Sequence, residues 1–223
     1  FLGANALAAV GSAFSLMTFL TSVILGLAMG SGTVFSIRFG QKDEQALKEG
    51  VLASFVLLGA VTVVLNLLVF AGLDWIILAL RTPAELVTMM REYLRVIFAG
   101  LVGIFLYNFF AALLRSLGNS TVPLAFLAVS AGLNILLDLW FVAGLGRGVA
   151  GAAEATVISQ YVSGIGIAAY TWRRFPALFR RDPAVRLRAA RLREITSFSA
   201  LTCLQQSIMN LGVLAVQGLV SSF

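Results

Sequence analysis

The sequence predicts an all-α fold, a polytopic bundle of about six membrane-spanning helices. Three observations predict it. Of 223 residues, 60% are hydrophobic and only 12% are charged, where a water-soluble domain carries about a quarter charged; mean hydropathy is +0.97. The apolar residues gather into six long runs. The basic residues are shared unevenly among the connections between those runs.

The runs are about Ala8–Ile37, Val51–Leu73, Val87–Leu114, Val122–Ala143, Val149–Trp172 and Ile195–Phe223. Each reaches the ~20 residues that span a hydrocarbon core. A backbone in lipid satisfies its own hydrogen bonds, so each run is a helix. The short alternating segments of a β-barrel are not seen. The first run is too long, with the wrong flanks, for a removable signal peptide.

The connections read "RFGQKDEQALKEG", "DWIILALRTPAE", "RSLGNSTVP", "GLGRG" and "RRFPALFRRDPAVRLRAARLRE". The first, third and fifth hold Arg38, Lys42, Lys48, Arg115 and the eight arginines from Arg173 to Arg193. These are twelve of the sixteen basic residues; Arg81, Arg91, Arg95 and Arg147 fall on the other side. The positive-inside rule then places the odd connections in the cytoplasm. The net charge of +6 therefore reads as a topology signal facing anionic membrane lipids, and no nucleic-acid partner is expected.

In the last connection, Asp182 and Pro183 resemble an N-cap and first helical position. Val185, Ala189 and Leu192 share one helical face, with Arg186, Arg188, Arg191 and Arg193 around it. The pattern predicts a short helix on the membrane surface within residues 173–194. It would join residues 1–172 to residues 195–223 and divide two halves of a larger protein. The chain starts at Phe1 and stops inside an apolar run, so it reads as a fragment. Small residues in "GANALAAVGS" and "GAAEATVIS" favour close helix packing.

Cys203 is alone and histidine is absent. That excludes an internal disulfide, His-based zinc sites and Ser–His catalysis in this stretch.

Of ten acidic residues, only Asp138 and Glu154 lie inside apolar runs. A central Asp costs ~2.5–3.5 kcal/mol on insertion scales, so it marks a functional candidate. Asn134 and Asp138 are four apart and share a helix face about 6 Å apart; Ser130 extends the stripe. A carboxylate held between desolvation and polar neighbours can take up H+ or Na+ and release it. With ~1.5 Å rise per residue, Asp138 lies about 8 Å beyond its segment's midpoint. Thr156 lies about 7 Å and Glu154 about 10 Å outward of theirs. Thr156 aligns with the polar Gln160 and Ser163, which makes it the better partner for Asp138. Glu154 aligns with Val157, Ile158 and Tyr161 and points toward the outer headgroups. It stands as a second candidate protonation site.

Several motifs then carry a resemblance. "LLRSLGNSTVPL", "LNILLDLWFVAGLG", "GVAGAAEATVISQ", "GSGTVFSIRFGQKDEQALKEG" and "LRTPAELVTMMREYLRV" resemble the multidrug and toxic compound extrusion (MATE) transporters over nearly the whole chain. The resemblance implies a twelve-helix, two-lobe protein in the plasma membrane, of which this chain covers helices two to seven. Residues 1–172 would supply most of the amino-terminal lobe, 173–194 the linker, and 195–223 the start of the second lobe.

In the DinF-like branch, the resemblance implies a cation site using Asn134, Asp138 and Thr156, with a further Asp on the missing first helix. It also implies cavity positions at Tyr93 and Asn108. Where the NorM-type branch has a carboxylate on helix seven, this chain has Gln205 and Gln206, which argues for the DinF-like branch. The function implied is a monomeric secondary antiporter that exports small organic compounds in exchange for H+ or Na+, without a cofactor. A flippase of lipid-linked sugars in the same superfamily would carry basic residues in its cavity. An intramembrane aspartyl protease would need a second carboxylate and a GxGD motif, and a rhomboid-type protease a His.

Overall fold

The computed structural model describes the backbone at residues 4–79, 87–180 and 182–220. Side chains are described from Leu16 to Leu78, Val87 to Arg180 and Asp182 to Met209, Ser207 excepted. Arg81, Glu85 and Arg181 lie outside the described residues. The elements in chain order are α1 (Ala4–Gly40), α2 (Glu44–Ala71), α3 (Leu73–Ala79), α4 (Val87–Ala99), α5 (Leu101–Ser116) and α6 (Thr121–Asp138). A π-helical segment (Leu139–Gly144) follows, then α7 (Gly148–Arg174), α8 (Pro176–Phe179) and α9 (Ala189–Val220). No strand occurs among the described residues. Four spans, Leu16–Gly40, Glu44–Ala71, Val87–Ser116 and Thr121–Gly144, are long and apolar enough to cross a membrane. The 27-residue α7 has the length, but small and polar residues dilute its hydropathy.

Local chemistry sets the helix ends. The Asp43 carboxylate accepts the Ala46 N–H at 2.9 Å and caps α2. The turn from α5 to α6 needs Gly118 at φ +83°, where a Cβ is costly. Its neighbour Asn119 donates its N–H to Leu114 at 2.9 Å and accepts the Val122 N–H at 3.2 Å. One residue thus closes α5 with its backbone N–H and opens α6 with its side chain.

The third apolar run is broken rather than continuous. It divides at Gly100, and the carbonyls freed there are taken by other helices. Tyr161 Oη of α7 donates to the Ala99 carbonyl at 2.9 Å, and Asn66 Nδ2 of α2 donates to the Phe98 carbonyl at 3.3 Å. In lipid such a break stands only where partners satisfy the backbone.

Helix α5 forms the centre of the bundle; Leu101, Phe105, Phe109, Phe110, Leu113 and Leu114 are all buried. Helices α5 and α7 touch backbone to backbone: a Cβ on Gly164 would lie 2.7 Å from the Gly103 carbonyl. Helices α1 and α9 touch similarly, since a Cβ on Gly30 would lie 2.4 Å from Ser199 Cα and one on Gly26 would lie 2.8 Å from Cys203 Cα. Two glycines four apart form the small-residue contact that lets helices approach closely in lipid. Helix α6 is peripheral, with only Pro123 buried.

Two expectations are corrected. "DWIILALRTPAE" is not all connection, because Leu73–Ala79 forms α3. Its apolar Leu73 and Ile77 are buried at i, i+4 spacing. The short helix expected from Asp182 is also not found. Asp182 caps one turn only, accepting the Ala184 N–H at 2.9 Å and the Val185 N–H at 3.0 Å. An isolated turn does not propagate without packing, and here the chain is drawn along α2 instead. Gln45 donates to the Ala184 carbonyl at 3.5 Å, and Arg188 reaches Glu49 at 3.1 Å. Helix formation resumes at Ala189, six residues before the apolar run.

Candidate functional site

A polar cleft of about 630 Å³ runs between α1, α4, α5, α6, α7 and α9. Thr18, Thr21 and Ser22 of α1 face Tyr93 of α4 and Tyr107 and Asn108 of α5; Ser130, Thr156, Gln160, Ser163 and Gln206 complete the polar lining. No residue lining it carries a formal charge. Of the sequence's candidate substrate-cavity residues, Tyr93, Asn108, Gln160, Gln205 and Gln206, the first three and Gln206 line this cleft. Gln205 does not line the cleft and is exposed. Consecutive helical residues point about 100° apart, and the rotation of α9 turns Gln206 toward the cleft and Gln205 outward.

The sequence reading missed Thr18, Thr21 and Ser22. Their spacing, i, i+3, i+4 in an otherwise apolar run, was the available signal.

The α6–α7 seam holds the predicted polar stripe. Ser130 Oγ donates to the Ser159 carbonyl at 3.0 Å, and Ser163 Oγ donates to the Phe126 carbonyl at 3.3 Å. Asn134 Nδ2 donates to Thr156 Oγ1 at 3.4 Å, and that hydroxyl donates to the Ala152 carbonyl at 3.0 Å. Both Asn134 and Thr156 are therefore oriented, and the Asn134 side-chain oxygen is left available.

Asp138 stands one turn beyond Asn134, at the junction with the π-helical segment. Such insertions recur at functional sites because they re-aim side chains. The Asp138 Oδ1 atom is enclosed and has no hydrogen-bond partner. Glu154 takes another direction: it pairs with Arg147, which also lies 5.9 Å over the Phe141 ring. The oxygens that Asp138 and Asn134 of α6 and Thr156 of α7 carry are a carboxylate, an amide oxygen and a hydroxyl. That chemistry suits a proton or a hard monovalent cation.

A second charged cluster lies where α1, α2 and α9 meet. Glu49, only 2% exposed, faces Arg188 at 3.1 Å and Arg191 at 3.4 Å. Glu194 pairs with Arg191 at 2.9 Å and with Arg38. Burial works to raise the Glu194 carboxyl, but hydrogen bonds and charge from Arg191 and Arg38 outweigh it and hold it below its ordinary value. The hydrogen bond to Glu194 in turn raises Arg191.

Residues 1–140 match the MatE protein-family model. The chain belongs to the MatE family. "Probable multidrug resistance protein YpnP" of Bacillus subtilis is 32% identical to this MatE chain over 162 residues, 73% of this chain and 36% of the relative. "Probable multidrug resistance protein YoeA" of the same organism is 33% identical over 180 residues, 78% of this chain and 38% of the relative. A solved structure, "Outward-facing conformation of a multidrug resistance MATE family transporter of the MOP superfamily", superposes with a TM-score of 0.86 at 27% identity. It covers 96% of this chain and 48% of that one. The MatE chain thus spans less than half the length of the proteins it matches. It is an integral protein of the plasma membrane, and its relatives are transporters rather than enzymes.

Proposed function

We propose that the full-length protein is a secondary antiporter that exports small organic, xenobiotic compounds in exchange for H+ or Na+ by alternating access. The supporting observation is the position of Thr156. It lines the cleft and also accepts from Asn134, one turn from the enclosed Asp138 oxygen. A cation bound by Asp138, Asn134 and Thr156 would reorient a wall of the space that holds substrate.

The cleft suits an organic guest. It is of small-molecule size, and its polar groups are hydroxyls, amides and phenols without fixed charge. Substrate fills the cleft from the cytoplasmic side. The ion enters from outside and loads Asp138. Ion and substrate then favour different states of the transporter, and that difference in affinity is the whole of the coupling. The protein acts as a monomer, and the exchanged ion is its only cofactor-like requirement. Asp138, Asn134 and Thr156 bind the ion; Tyr93, Asn108, Gln160 and Gln206 contact substrate. Glu154 is assigned no part in ion binding in this reading; its ion pair with Arg147 supports that assignment.

A flippase for lipid-linked sugars is the rival within the superfamily. It needs cations in the cavity to hold a phosphate, and none of the cleft-lining residues is Lys or Arg.

Coupling is reciprocal, so the ion and the substrate must weaken each other's binding by the same factor. Titrating a cationic fluorescent substrate onto the purified full-length protein at several pH values and Na+ concentrations tests this. The expected result is a fall in affinity as H+ or Na+ rises, absent in Asp138→Asn. Affinity indifferent to both ions would remove the proposal.

A further inference from the structure

A second concavity, of about 320 Å³, lies between α2, α5, α7 and α8, and shares no lining residue with the polar cleft. Its walls are aromatic: Phe55, Phe109, Phe110, Trp172 and Phe179. They hold one another, with Phe55 on Phe109 at 5.2 Å, Phe110 near Phe179 at 6.2 Å and Trp172 stacked on Phe179 at 5.2 Å and 5°. Its mouth carries Lys48 and Arg180, which also line a neighbouring hollow with Pro176 and Ala177.

The two cations have no ion-pair partner among the described residues, whereas Arg38, Arg188 and Arg191 are engaged by Glu49 and Glu194. Asp182 also lies at the mouth, so two cations stand there against one carboxylate. Lys48, Leu52 and Phe55 fall at i, i+4 and i+7 on one face of α2. The charge therefore stands about 10 Å along the helix axis from the aromatic floor.

We propose that this groove binds an anionic phospholipid. Its phosphate lies between Lys48 and Arg180, and the upper part of one acyl chain lies on Phe55, Phe109 and Phe110. Lipid tails fill any apolar groove on an integral membrane protein. Two cations against one carboxylate leave the mouth with a net positive charge, which adds a preference for lipids with net negative charge. The graded wall, cationic at the helix ends and apolar ten ångströms deeper, matches the polarity of a phospholipid from headgroup to chain. Binding here requires only insertion in a membrane and is independent of the transport reading.

Trp172 in the wall is a built-in reporter. The full-length protein, with every other tryptophan replaced by Phe, is placed in phosphatidylcholine nanodiscs. Brominated-chain phosphatidylglycerol or brominated-chain phosphatidylcholine is then added at matched mole fractions. Brominated phosphatidylglycerol should reach half-maximal quenching of Trp172 at a mole fraction about tenfold lower. Lys48→Gln with Arg180→Gln should erase the difference, and Lys48→Arg alone should keep it. Equal quenching by the two lipids in the unsubstituted protein, or a preference that survives loss of both cations, overturns the proposal.

Discussion

Asn134 donates its amide to the Thr156 hydroxyl at 3.4 Å and so joins α6 to α7 one turn from Asp138. Glu154, two residues from Thr156, is turned by about 200° and is occupied by Arg147. Thr156→Val removes one oxygen and the acceptor that orients Asn134. A lost hydrogen bond of about 1 kcal/mol corresponds to a five- to tenfold weaker ion dependence of substrate binding. Glu154→Gln should leave that dependence unchanged. Ion titrations of substrate affinity in the two variants decide between them; equal shifts would return Glu154 to the ion site.

The Glu194 contacts predict a pH effect with a definite sign. The folded carboxyl is held below its ordinary value by Arg191 and Arg38. Its contribution to stability is therefore complete above the ordinary carboxylate range and lost as pH falls through the lowered value. Melting of the purified full-length protein should hold from neutral pH down to that range and drop as pH falls below it. Glu194→Gln should be less stable at neutral pH, by about 1–2 kcal/mol, and should flatten the acid limb. An unchanged acid limb in the variant would place the titration elsewhere.

Helix contact through glycine gives a paired test. Gly30→Ala puts a Cβ 2.4 Å from Ser199 Cα, a backbone atom that cannot step aside, so α9 must move. Overpacking of this kind costs about 1–3 kcal/mol. Gly132→Ala meets nothing within 4 Å and should be neutral or slightly stabilising. Thermal melting of both variants in the same detergent checks the difference. Equal melting would mean that the α1–α9 contact is not held in solution.

The expected orientation of the chain is open to labelling in intact cells. Exposed Leu145 and exposed Arg186 belong to connections that the basic-residue bias assigns to opposite sides. In a protein lacking Cys203, an impermeant maleimide added outside should modify Leu145→Cys and spare Arg186→Cys. The reverse pattern would invert the topology.

Much of the fold was legible because lipid leaves the backbone few choices. Long apolar runs could only be helices, and "SLGN" announced the α5–α6 turn through glycine and asparagine chemistry. The α6–α7 seam was legible for the same reason, since Asn134, Asp138 and Thr156 are polar exceptions at matched depth. Other features depended on contacts between distant segments. Gly100 marks a break only because Tyr161 and Asn66 arrive to take the freed carbonyls. Glu49 reads as an ordinary charge near a helix end, yet it is buried because arginines 139 and 142 residues later close over it. The failed helix at Asp182 has the same origin, for a good local cap was overruled by where Arg188 had to reach. Gln205 and Gln206 could not be told apart without knowing the rotation of α9.

Asp138 is proposed to couple ion entry to export. This coupling is tested most directly by efflux of a fluorescent organic cation from proteoliposomes containing the full-length protein under an imposed H+ or Na+ gradient. Asp138→Asn keeps the shape of the side chain and removes the charge that gains and loses the ion. The variant is expected to be inserted and folded like the parent, to bind substrate still, and to show no gradient-driven efflux above the passive leak. Gradient-driven efflux at the parental rate from the Asp138→Asn protein would contradict it.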